Sequence, residues 1–187
     1  CSRQHADLIL AVDVSGSMGP GDAKREINFI KALIRSLKVG NRTRVGIIAF
    51  SDRSTEIVSA SRALTRRQIG SLLDSQLKFK GGRTNTGAAL VLARRRFKKM
   101  KRNQVPQLVL VISDGNSNVG PNPIIEAEIL RDANVKLITV GVGLHINREE
   151  LRGIASNPSA KNAVTIGSPK NLNRYVGRIS RLVCKNI

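Results

Sequence analysis

Residues 7–17 read DLILAVDVSGS, an almost unbroken apolar run that passes directly into an Asp-x-Ser-x-Ser turn. The run over 7–12 has no polar alternation, the mark of a strand covered on both faces. Outward from it, apolar runs alternate with helical patterns. Residues 22–38 put Ile27, Ile30, Leu33, Ile34 and Leu37 on one helical stripe. Residues 44–50 (RVGIIAF) read as a second strand and 54–58 as a short third at an edge. Residues 65–76 predict a helix with Thr65 as N-cap and Ile69, Leu72 and Leu73 inward. A stronger helix follows over 85–101, a buried strand over 107–113 (QLVLVIS) and a helix over 121–133. A strand over 136–142, a short helix over 147–155, a last strand over 163–166 and a helix over 172–183 complete the pattern. This alternation predicts a doubly wound α/β/α sandwich around a six-stranded sheet, five strands parallel and one antiparallel at an edge. Ligands of such sheets bind at the carboxyl ends of the strands, where connections reverse direction.

The 187 residues suffice for one α/β domain, 1–187, with no repeat or linker inside it. Apolar residues make up 41%, which excludes a disordered tail, and no run of about 18 apolar residues predicts a membrane-spanning helix. The chain starts at Cys1 without an initiator Met and reads as a mature or excised piece of a larger protein. The two cysteines, Cys1 and Cys184, stand at the ends. A bridge between them would tie the first strand to the last helix. It would stabilise by about 5 kcal/mol in the chain-entropy model and imply an oxidising compartment. The alternative is two unrelated thiols. Asn41-Arg42-Thr43 is a glycosylation acceptor triplet in a predicted loop, which fits secretion.

Three Gly-rich polar loops border core elements: Asp13-Val14-Ser15-Gly16-Ser17 after the first strand, residues 81–87 (GGRTNTG) before the long helix, and Ser113-Asp114-Gly115 after the central strand. Residues two apart in an extended segment point the same way, so the oxygens of Asp13, Ser15 and Ser17 can converge on one point. Thr84 and Asp114 can add a hydroxyl and a second carboxylate. Hard oxygen donors without His or Cys suit Mg²⁺, Mn²⁺ or Ca²⁺ rather than Zn²⁺. Two carboxylates only just neutralise a divalent ion, which leaves a partner's Asp or Glu as a natural last ligand. That is binding chemistry rather than turnover. An EF-hand loop would need Gly and Glu where Met18 and Lys24 stand. A serine hydrolase would use Ser17, Asp114 and His145, in a suitable chain order. That elbow lacks its first Gly, sits on the first strand with no earlier strand to supply an oxyanion hole, and leaves Thr84 without a role.

The three motifs D-x-S-x-S, G-G-R-T-N-T-G-A-A-L and I-S-D-G, in this order and on these elements, resemble the metal-ion-dependent adhesion site of von Willebrand factor A domains. The resemblance spans essentially the whole chain. It implies a Rossmann-like fold, an adhesive rather than enzymatic role, and Asp13, Ser15, Ser17, Thr84 and Asp114 as metal ligands. Within T-N-T it selects Thr84 over Thr86. Ser113 stands where the family usually has Thr. Cys1 and Cys184 resemble the terminal bridge of the matrix-protein members. Mg²⁺ is the expected ion, with Mn²⁺ or Ca²⁺ as alternatives. The implied setting is a secreted, extracellular-matrix module that binds collagen or an acidic matrix protein, and an acidic shell or bone matrix would extend it to biomineralisation.

Lys and Arg total 32 against 13 acids, a net charge of +19, so the surface attracts polyanions at long range. Arg94, Arg95, Arg96, Lys98, Lys99, Lys101 and Arg102 crowd the end of one helix. Ala93 and Phe97 keep its core face apolar, and Arg94, Lys98 and Lys101 then share an outer stripe. Lys78, Lys80, Arg174, Arg178 and Arg181 add to the basic surface. Aromatic residues are 3%, with no stacking platform, which argues against nucleic acid. Heparin-like sulfated glycosaminoglycans or acidic matrix proteins are the expected polyanions.

Overall fold

The computed structural model describes residues 5–16, 20–79, 81–100, 102 and 104–187. Its centre is β1 (Ala6–Asp13), buried at every position. Successive side chains of a strand face opposite ways, and β1 divides accordingly. Ala6, Leu8, Leu10 and Val12 join one apolar layer with Phe29, Ile30 and Leu33 of α1 (Pro20–Ser36), Ile69 and Leu73 of α2 (Arg66–Gln76), and Ile179 and Val183 of α7 (Leu172–Asn186). Ile9 and Ala11 join the other, with Leu90, Ala93 and Phe97 of α3 (Thr86–Met100), Ala127 and Leu130 of α4 (Pro123–Asp132) and Ile154 of α5 (Arg148–Ile154). The unbroken apolar run is therefore two half-cores sharing one strand.

The remaining strands are β2 (Thr43–Phe50), β3 (Ser54–Val58), β4 (Gln107–Ser113), β5 (Val135–Val142) and β6 (Ala163–Ile166). The sheet order is β3-β2-β1-β4-β5-β6. Among the described residues only the β2–β3 pairing is antiparallel. The fold is the expected α/β/α sandwich. From β1 the chain crosses to β2 on one side, while β4 lies on the other, so the carboxyl ends of β1 and β4 frame the crevice where connections diverge. Register pairs Val12 with Ile112, which sets Asp13 beside Ser113.

The buried stripe of α1 differs from the expectation at three positions. Phe29 is fully buried and Ile27 only half so, and the stripe opens on the buried Glu26. The helix expected over 121–133 starts at Pro123, because Asn122 caps it by accepting from Ile124 N at 2.9 Å. The closing helix runs on to Asn186, beyond the expected 183. The one-turn α6 (Ser159–Asn162) and a 3₁₀ turn at Pro169–Asn171 were too short to leave a periodic signal. Thr65 caps α2 as expected, in a reciprocal capping box with Gln68.

Candidate metal centre

Asp13, Ser15, Thr84 and Asp114 meet at the crevice above β1 and β4. The Asp13 carboxylate is buried and held at both oxygens: Ser15 N donates to Oδ1 (2.9 Å) and Ser113 Oγ to Oδ2 (2.7 Å). Ser113 in turn accepts from Gly115 N at 3.0 Å, which links the first and third loops. The second loop is tied to the first by Gly16 N donating to Gly82 O (3.1 Å) and by Thr84 Oγ1 donating to Ser15 Oγ (3.0 Å). Gly82 has φ +92°, and a Cβ there would lie 2.1 Å from Asp52 Oδ2, so only glycine fits this turn. Asn118 clamps Thr84 from the β4–α4 loop, accepting from Thr84 N and donating its own N–H to Thr84 O, both at 3.0 Å. Asp114 is half-exposed and accepts from Asn116 N at 3.1 Å. Ser17 lies outside the described residues. Thr86 is engaged elsewhere, accepting from Ser117 Oγ at 2.7 Å.

Two further carboxylates, missed in the sequence, stand near this crevice. Glu150 accepts from Ser117 Oγ at 2.9 Å. Its position three residues after the cap Asn147 reads in sequence as ordinary helix capping. Glu26 is 1% exposed, and its Oε2 has no hydrogen-bond partner among the described residues. Its signal was available: it falls one turn before Ile30 on the α1 stripe.

Burial raises the Asp13 carboxyl above the ordinary aspartate range, against the hydrogen bonds from Ser15 and Ser113, and Asp114 raises it further. Burial also raises Glu150, with Asp114 and Asp13 adding to the effect. Glu26 is pushed well above its ordinary range by burial, then by Asp13 and Asp22. Among the described residues, none of Asp13, Asp114, Glu26 and Glu150 has an ion pair with Lys or Arg. In a chain of net charge +19, Asp13 and Asp114 thus stand at one end of the sheet with Glu26 and Glu150 close enough to act on them, and none of the four is ion-paired among the described residues. No group of three or more His, Cys, Asp or Glu that could hold a metal ion occurs among the described residues, so any ion bound at this crevice would need hydroxyl donors as well. Hard oxygens, repelling carboxylates and a half-exposed mouth fit a divalent cation.

The sequence over residues 7–178 matches the von Willebrand factor type A domain. The chain belongs to that family. Among von Willebrand factor type A relatives, it is 30% identical over 159 residues to the human collagen alpha-6(VI) chain, covering 82% of this chain and 7% of that protein. It is 28% identical over 167 residues to the transmembrane cell adhesion receptor mua-3 of Caenorhabditis elegans, covering 85% of this chain and 4% of the receptor. The chain thus spans a small part of the relatives it matches. Proximal thread matrix protein 1 from the mussel byssus, in a form with a zinc-occupied MIDAS motif, superposes with TM-score 0.88 at 26% identity, over 97% of this chain and 46% of that one. Manganese-loaded TRAP protein of Plasmodium vivax superposes with TM-score 0.75 at 25% identity, over 92% and 72%.

The rival hydrolase arrangement gains no support from the geometry. His145 is exposed, its carbonyl accepting from Asn116 Nδ2 at 2.7 Å, and Asp114 shares no hydrogen bond with it among the described residues. The basic stripe is only partly free. Arg94 pairs with Glu126 (3.4 Å), Arg96 with Glu56 (3.1 Å) and Arg102 with the buried Asp7 (2.5 Å). Arg95, Lys98 and Lys99 are exposed, and Lys101 lies outside the described residues. Cys1 and Lys80 also lie outside them. Cys184 packs half-buried against the layer that holds α1 and α7.

Proposed function

We propose that this chain is a matrix-binding module that grips acidic side chains of a protein partner through a divalent cation held by Asp13, Ser15, Ser17, Thr84 and Asp114, without turnover. The observation that carries the reading is the gathering of Asp13, Ser15, Thr84 and Asp114 from three loops at a half-exposed crevice, with neither carboxylate ion-paired among the described residues. Bound there, the cation would offer an open coordination position to a partner's carboxylate. The chain's own residues preset the donors: Ser113 and Ser15 N fix the Asp13 carboxylate, and Asn118 fixes Thr84. Mg²⁺ is the proposed resident ion, with Mn²⁺ or Ca²⁺ as alternatives, and the zinc- and manganese-loaded relatives support a divalent ion of some kind. The collagen VI and adhesion-receptor relatives support a collagen or acidic matrix protein as partner.

The setting proposed with it is a single domain in a secreted, extracellular-matrix protein, closed by a Cys1–Cys184 bridge. No described cysteine is a free thiol, which supports the bridge. No helix among the described residues is long and apolar enough to cross a membrane. Arg95, Lys98 and Lys99, exposed and without an acidic partner among the described residues, support a second role of this helix in drawing in an acidic protein or acidic mineral.

The test is binding to immobilised collagens and acidic matrix proteins in Mg²⁺, Mn²⁺ or chelator. Asp13→Ala and Asp114→Ala should each abolish the metal-dependent signal while the folded chain persists. Unchanged binding in chelator, or in both variants, overturns the reading.

A further inference from the structure

A second concentration of charge faces a groove between α1 and α2, in the layer that also holds α7. The two helices run antiparallel: Arg66 Nη2 donates to Leu37 O at 2.8 Å just beyond the end of α1, and Lys31 pairs with Asp74 toward the other end of α2. The groove between them has a volume of about 300 Å³. Its floor is apolar, from Ile34 and Leu73, and its rim carries Lys31, Arg35, Arg66 and Arg67 against one acid, Asp74. The rim is thus four cations less one carboxylate, a formal charge of +3. Arg35 and Arg67 are exposed and have no ion pair among the described residues.

Gly70 makes this more than a basic surface. It lies inside α2, where glycine destabilises a helix by about 0.5–1 kcal/mol relative to alanine. Its φ is not left-handed, and a Cβ built on it would meet nothing within 4 Å. Packing therefore gives no reason for glycine here. What the missing side chain does is keep the groove open, since Gly70 lines it.

We propose that the α1–α2 groove binds a sulfate-bearing sugar unit of a sulfated polysaccharide, independently of the metal centre. A guanidinium presents a planar fork of donors to an oxyanion, and the apolar floor suits the face of a sugar ring. No aromatic side chain lines the groove, so a nucleic acid base would find no stacking partner. Because β1 and β2 are parallel, α1 runs back from the carboxyl ends of the strands, and the groove, bordered by its second half, lies away from the metal centre. One copy of the chain can then hold a glycan at one end and an acidic protein at the other.

The experiment is titration with a defined heparin hexasaccharide at physiological salt, in Mg²⁺ and in chelator, with polyglutamate as a carboxylate polymer for comparison. Wild-type affinity for the hexasaccharide should be the same in chelator. The double substitution Arg35→Glu and Arg67→Glu should weaken it about tenfold or more, each tenfold being about 1.4 kcal/mol. Gly70→Leu should weaken it several-fold without lowering Tm, which separates filling the groove from unfolding the chain. Charge reversal at Arg95, Lys98 and Lys99 should leave it within a factor of about three, less than 1 kcal/mol. The proposal is overturned if polyglutamate binds as tightly, if the α3 reversal matters as much as the groove reversal, if Gly70→Leu binds like wild type, or if chelator abolishes binding. None of these results bears on the protein partner of the metal centre.

Discussion

At the scale of single residues, charge neutralised inside the fold decides which cations are free to act outside it. Arg102 reads in sequence as the end of a basic stripe, yet its guanidinium is bound to Asp7, which is 0% exposed. Burial raises the Asp7 carboxyl, and Arg102 opposes that rise. Removing one partner of a buried ion pair strands the other, at a cost of about 3–5 kcal/mol, whereas replacing both with apolar residues is often neutral. Arg102→Ala should therefore lower the urea midpoint severely, and Asp7→Leu with Arg102→Met should recover most of the loss. A full-sized loss in the double variant would refute the account. Glu26 makes the complementary case. Its folded-state carboxyl is raised above that of the unfolded chain, so folding takes up a proton in the interval between the two values. Stability then falls as pH rises from the ordinary glutamate range toward the raised value. In chelator, urea unfolding between pH 4 and 8 should show this decline, and Glu26→Gln should make it shallower. Asp7, Asp13 and Glu150 are raised in the same direction, so some slope persists. An unchanged slope in Glu26→Gln would show that this carboxyl does not titrate differently on folding.

At the scale of elements, the sequence was most legible where periodicity and motif coincide. The strands over 54–58, 107–113 and 163–166 have the expected bounds. β1 and β5 each start one residue earlier than expected, β1 also runs one residue longer, and β2 opens at the buried Thr43 inside the glycosylation triplet. Asp13, Ser15, Thr84 and Asp114 were legible because D-x-S-x-S, T-N-T and S-D-G are local patterns. Asn118 and Glu150 were not. Each acts across more than thirty residues of chain, through Thr84 and Ser117, and nothing local marks it. The neutralisation of Arg94 and Arg96 was hidden for the same reason, since their partners lie on α4 and β3. A long-range clamp has a measurable consequence. Residues that orient metal ligands without touching the ion contribute about 10–100-fold in affinity. Asn118→Ala removes the acceptor of the Thr84 N–H and should weaken Mn²⁺ binding by about tenfold or more, in that range. The chelated variant should unfold near wild type, since Asn118 is exposed. Equal Mn²⁺ titrations would show that Thr84 needs no such support.

At the scale of the whole molecule, the excess of 32 basic over 13 acidic residues should act on the fold and on the capture of the proposed acidic partner with opposite salt dependence. A chain far from neutrality repels itself in the compact state. Sodium chloride shortens the Debye length from about 30 Å at 0.01 M to about 8 Å at 0.15 M. Over that range the self-repulsion is screened, while a pair as close and buried as Arg102 with Asp7 is screened much less. Thermal stability in chelator should therefore rise with sodium chloride, each 1 kcal/mol of relief appearing as about 2–4 °C in Tm for a chain of this size. If the proposed function holds, capture of an acidic partner would depend on the same field and should slow over the same range, in kon more than in koff. The two readings must move in opposite directions in one salt series, Tm by thermal melting and kon by surface capture. A Tm that falls with salt would mean that the ion pairs outweigh the net charge. A kon insensitive to salt would mean that the basic surface plays no part in finding the partner, and that recognition rests on the metal centre alone.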